Sequence, residues 1–68
     1  MMTIGEKIRA ARVAKKMTQK QLGIAIGFEE KSAERMIQKW EYGTQRPSID
    51  YLRPLANALG VSLDYLVP

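Results

Sequence analysis

Apolar positions along this chain recur at intervals of three and four, the spacing of one face of a helix. Ile4, Ile8 and Ala11 fall in line directly after Thr3-Ile4-Gly5-Glu6, which has the form of a capping box and predicts a first helix starting at Thr3. Thr18-Gln19-Lys20-Gln21 is a second box, and Leu22, Ala25 and Ile26 supply the apolar side of a second, short helix. Phe28-Glu29-Glu30-Lys31 has no clear period. Ser32 predicts the N-cap of a third helix running through about Glu41, with Ala33, Ile37 and either Trp40 or Met36 inward. Gly43 ends that helix, and Pro47 delays the next start to Ser48. A fourth helix then carries Ile49, Leu52, Ala56 and Leu59 in phase until Gly60 stops it, and Ser62 opens a last short one with Leu63 and Leu66. The expected fold is all-α: a single domain over residues 1–68 with five helices and no strand.

Three residues resist this pattern. Lys16 stands where the first helix must turn sharply, a place that usually takes glycine in the left-handed conformation. Pro54 falls in the second turn of the fourth helix, where it removes a backbone bond and crowds the carbonyl of Asp50; a bend is expected there, since Leu55, Ala56 and Leu59 continue the apolar face. Gly23 interrupts the second helix at a cost of roughly 0.5–1 kcal/mol relative to alanine. One explanation is that the helix simply ends early. The other is that Gly23 marks a point where two helices cross backbone to backbone, with Gly27 supplying the positive φ of the turn between them. A small residue followed four positions later by a turn glycine is the pattern of a helix-turn-helix.

Composition narrows the chemistry. The 68 residues contain neither cysteine nor histidine, so disulfides, cysteine/histidine zinc sites and histidine-based catalytic pairs are out of reach. Nothing resembles a calcium loop, and no metal, cofactor, small-molecule ligand or enzyme activity is expected. No apolar run is long enough to span a membrane and the N-terminus lacks the core of a signal peptide, so a cytoplasmic protein is expected. The net charge of +4 is unevenly placed: residues 1–20 hold six basic groups against Glu6 alone, whereas the two signs balance over 21–46. A basic surplus of this kind suits a polyanion such as nucleic acid, or merely solvates a fold.

Four segments in order, IGEKIRAAR, MTQKQLGIAIG, IQKWEYGTQRPS and LANALGVSLDYLV, make the chain resemble the Cro/C1-type (lambda-repressor-like) helix-turn-helix domains of the XRE family. The resemblance implies a compact five-helix domain in which the second and third helices form the reading unit. The third, the recognition helix, would lie in the major groove of double-stranded DNA with its N-terminal half against base edges. It further implies a transcriptional regulator, a repressor acting as a homodimer. The competing reading is a protein-interaction module of the same fold, such as an antitoxin-like partner.

Carried onto this sequence, the resemblance makes Glu34, Arg35, Gln38 and Lys39 the outward residues of the recognition helix. Arg35 can bond guanine O6 and N7 in bidentate fashion, Gln38 and Lys39 can reach bases or phosphates, and Glu34 can accept from cytosine N4. Glu34 and Gln38, four apart, can equally form a solvated pair. Gln19 matches the glutamine that holds a phosphate at the start of the second helix. Ser32 would help at the groove edge as a cap, while Thr44 and Arg46 match positions that touch the sugar-phosphate backbone. Arg12 and Glu41 match a pair that in some members ties the first helix to the end of the third. Trp40 belongs in the core rather than in a stack with bases. One departure stands out: the ten residues from Gly27 to Ile37 exceed the usual interval by about one helical turn. A longer loop over 28–31, followed by a helix capped at Ser32, is expected in preference to a lengthened recognition helix, because two glutamates turned towards DNA would be repelled.

Overall fold

The computed structural model describes residues 2–67, which form five helices: α1 (Ile4–Ala14), α2 (Gln19–Ala25), α3 (Glu30–Tyr42), α4 (Ile49–Leu59) and α5 (Leu63–Leu66). No strand occurs among the described residues, and no described helix is long and apolar enough to cross a membrane. Both boxes close. Thr3 Oγ1 accepts from the Glu6 amide at 3.1 Å while the Thr3 amide donates to Glu6 Oε1 at 2.7 Å. Thr18 and Gln21 repeat the exchange at 3.0 and 2.8 Å. Each such cap stabilises its helix by about 1 kcal/mol. Ser62 Oγ caps α5 by accepting from the Tyr65 amide, whereas Ser48 stands at the N-cap of α4 without a side-chain bond.

The helix ends share one device. After α1 the turn falls on Lys16, whose φ of 57° is the left-handed conformation expected there. Met17 N then donates to the Arg12 carbonyl and Lys16 N to that of Val13, which satisfies two carbonyls left over at the helix end. Gly27 (φ 109°) does the same after α2, where Phe28 N reaches the Gly23 carbonyl at 3.0 Å. Gly43 and Gly60 close α3 and α4 in like manner.

The centre of the molecule is built from Ile8, Leu22, Ile37, Trp40, Leu55 and Leu66, all fully buried. Each such side chain contributes roughly 1.5–3 kcal/mol through burial. Trp40, not Met36, is the inward residue of α3; Met36 only packs against the core margin. α4 runs unbroken through Pro54. Two expected core positions are corrected. Ala25 is exposed, and Ile49 is 82% exposed because the buried stripe of α4 is centred on Leu55 and Leu59, leaving the first residue of the helix beyond the core's edge.

The segment after Gly27 also departs from expectation. Only Phe28 and Glu29 lie outside helix; α3 begins at Glu30, with Glu29 in extended conformation at its N-cap. Ser32 is therefore not the cap. It lies inside the first turn, where its Oγ bonds back to the Glu29 carbonyl at 3.3 Å. Three causes favour the earlier start. Phe28 packs into an aromatic cluster, with ring centroids 4.7 Å from Tyr51 and 5.6 Å from Trp40, and so fixes where the chain can turn. Glu30 in the first turn complements the helix dipole. Lys20 adds a small contribution through a solvent-exposed ion pair with Glu30 at 3.0 Å, which sets a cation beside one of the two glutamates that argued against a lengthened helix.

Candidate nucleic-acid interface

α2 and α3 meet at Gly23. A Cβ placed on Gly23 would lie 2.6 Å from both the Cβ and the carbonyl oxygen of Ala33 and 2.7 Å from its Cα. Non-bonded carbons do not approach so closely, so the two backbones cross here and only glycine fits. The glycine is a contact point, not an early helix end. Sequence reading missed a second crossing, at Gly5. A Cβ there would collide with the Trp40 carbonyl oxygen and lie 2.8 Å from that of Glu41, so α1 also presses directly on the end of α3. In the sequence Gly5 looked like a mere spacer within the capping box.

Glu41 binds three helices together. Its side chain is 1% exposed and accepts from Arg12 Nε at 2.6 Å, Arg12 Nη2 at 3.1 Å and Gln19 Nε2 at 3.1 Å. Arg12 Nη1 donates in addition to the Met17 carbonyl at 2.9 Å. The expected tie between α1 and α3 is present and is bidentate, the strong form of such a pair. The link to Gln19 was not foreseen. It fixes the first residue of α2, the position matched to a phosphate contact, against the end of α3.

With Ala33, Ile37, Trp40 and Glu41 inward, the opposite side of α3 presents Glu34, Arg35 and Lys39 to solvent, with Gln38 half-buried at its margin. Gln38 Nε2 lies 3.4 Å from Glu34 Oε2, so the solvated pair exists in the free protein. It is long and exposed, and it yields readily to a competing partner. Gln19 and Glu34 line one open cleft, together with Arg9, Lys20 and Tyr42, none of which was singled out from sequence. Arg9 lies one helical turn before Arg12 and Lys20 directly follows Gln19; those spacings were the available signal. The capping box uses the amides of Thr18 and Gln21, leaving those of Gln19 and Lys20 at the open end of α2. Thr44 and Arg46 are exposed in the loop after α3. Arg46 lines a second hollow, beside Glu6 and Lys7 of α1, and Tyr42 stands on the wall of both. Ser32, half-buried in the first turn of α3, adjoins Ala33 of the crossing and stands three and seven residues before Arg35 and Lys39, at the margin of the outward stripe.

A short helix of 7 residues closed at a glycine contact on a longer one of 13, the second with a polar outward face, defines a helix-turn-helix within a five-helix domain. The helix-turn-helix family model matches residues 8–66, and the chain belongs to that family, of the Cro/C1 type. Among solved structures it is similar to the P22 c2 repressor in complex with synthetic operator 9T in the presence of Tl+. That likeness has 35% identity and a TM-score of 0.84, covering 97% of this chain and 94% of the other. It is also similar to the transcriptional regulator BswR, with 33% identity and a TM-score of 0.89 over 98% of this chain; there the chain spans 65% of the other protein's length. No curated protein matches the chain in sequence.

Proposed function

We infer that this protein is a sequence-specific double-stranded DNA-binding regulator of transcription, a repressor, which places α3 in the major groove. The observation that carries this reading is the α2–α3 unit locked at Gly23 and Ala33, with Arg35 and Lys39 on its free face. The P22 c2 repressor, similar over almost its whole length, is bound to an operator. The protein acts in the cytoplasm as a homodimer on two half-sites about one DNA turn apart, since one module of this size buries limited surface. Selection of bound sequences from a random duplex pool, followed by affinity measurements across a salt series, tests the reading. A protein-interaction module would select no sequence.

Within this reading Gln19, Thr44 and Arg46 position the protein on phosphates, while Glu34, Arg35, Gln38 and Lys39 meet base edges. Arg46→Ala is expected to weaken binding to all duplexes about equally and to reduce the slope of log affinity against log salt by roughly one unit. An unchanged slope and affinity removes Arg46 from the contacts.

Arg35 distinguishes itself by a different signature. Its planar fork matches guanine O6 and N7, a pairing worth roughly 1–3 kcal/mol of discrimination at one base pair per half-site. Arg35→Lys should lose most of that discrimination yet keep non-specific affinity, and Arg35→Ala should lose both in part. Uniform weakening, with base preference intact in both variants, would place Arg35 on a phosphate instead.

A further inference from the structure

The lengthened start of α3 changes which residues share its outward face. Because the helix begins at Glu30, Lys31 is helical and stands three, four and seven residues before Glu34, Arg35 and Gln38, on the same stripe. Its side chain is 86% exposed. Had residues 28–31 been loop, Lys31 would have no fixed relation to Arg35.

The turn carrying Lys31 is already built in the free protein. The Ser32 and Ala33 amides donate to the Glu29 carbonyl at 3.1 and 2.9 Å, and Phe28 is anchored against both Tyr51 and Trp40. Lys20 holds the Glu30 carboxylate towards α2. The nearest acid to Lys31 is Glu29, 3.9 Å away with both side chains open to water, a pairing of little strength. The stripe thus gains a cation at its N-terminal end, the end that approaches base edges in helix-turn-helix docking.

We propose that Lys31 is an additional base-reading residue, contacting guanine one or two base pairs beyond the pair read by Arg35. This rests on the DNA-binding reading above. At a rise of 1.5 Å per residue, Lys31 lies about 6 Å along α3 from Arg35. Successive bases on one strand are separated by about 3.4 Å, so the two side chains address different base pairs of one half-site. An ammonium group on a four-carbon stem can donate to guanine O6 and N7 without the planar fit that arginine needs.

Selection from a random duplex pool with the parent protein, Lys31→Met and Arg35→Ala tests the proposal. Lys31→Met keeps length and helix propensity while removing the charge, and its melting temperature checks that the fold is kept. The parent should select guanine at two positions one or two base pairs apart. Lys31→Met should lose preference at one of them, by about 5- to 150-fold, and keep the other. Arg35→Ala should do the reverse. Lys31→Met that weakens all sequences alike places Lys31 on a phosphate and overturns the proposal, as does a variant whose preferences match the parent's. If the parent itself selects nothing, the DNA-binding reading fails first and the role of Lys31 with it.

Discussion

Gly23→Leu is expected to lower the melting temperature by on the order of 10–20 °C, with helical content lost in the same transition. A single Cβ at this position would already sit 2.6–2.7 Å from three atoms of Ala33, two of them main chain. A side chain can rotate away from a clash; a backbone carbonyl inside α3 cannot, so α2 and α3 must separate. Separation opens gaps beside Leu22 and Ile37, whose burial holds the same interface. Overpacking commonly costs about 1–3 kcal/mol, and the rigidity of the obstacle puts this case at the upper end. A domain this small has only about 5 kcal/mol to lose. Ala25→Leu is the control. It lies in the same short helix but is exposed, and it should melt within a few degrees of the parent. Parental melting of Gly23→Leu would refute the backbone crossing on which the reading unit depends.

The features legible in the sequence are those fixed by neighbours a few residues away. Thr3 with Glu6, Thr18 with Gln21 and Ser62 with Tyr65 announce their helices because each hydroxyl reaches an amide three residues on. Ser32 shows the limit of that logic. Its hydroxyl does bond to nearby backbone, but to the carbonyl three residues earlier, and serine satisfies either arrangement. What decides between them is where Phe28 docks, and its partners Trp40 and Tyr51 are distant in sequence. Ile49 fails for a related reason. It is in phase with Leu52, but whether the first turn of a helix reaches the core depends on neighbouring elements, not on period. The crossing at Gly23 was legible because a glycine inside a helix needs a reason; Gly5, hidden in a capping box, offered no such anomaly. The outward stripe of α3 followed from its inward one, so the assignment of Glu34, Arg35 and Lys39 to the surface did not require the cap to be right. Lys31 did require it, and for that reason the sequence alone left it out.

Removal of the Glu41 carboxylate is expected to destabilise the protein by about 3–5 kcal/mol, the range for breaking one side of a buried ion pair. Glu41→Ala leaves the Arg12 guanidinium, 12% exposed, with only the Met17 carbonyl as partner, and it frees Gln19 as well. Most of the loss comes from that stranded charge and not from the pair's own strength. A double variant, Arg12→Met with Glu41→Leu, should therefore recover much of it, because two apolar side chains in place of a buried pair leave nothing unsatisfied between them. Urea denaturation of both single variants and the double forms a cycle in which the double loses far less than the sum. The functional consequence runs the other way. In the double variant α1 and α3 stay packed, but nothing holds the Gln19 side chain against α3. If that link pre-sets Gln19 for its phosphate, the stable double variant should still bind every duplex more weakly than the parent while keeping the parent's base preferences, since the stripe of α3 is untouched. A double variant that regains stability and full affinity would make the network structural alone. Single variants as stable as the parent would deny it even that role.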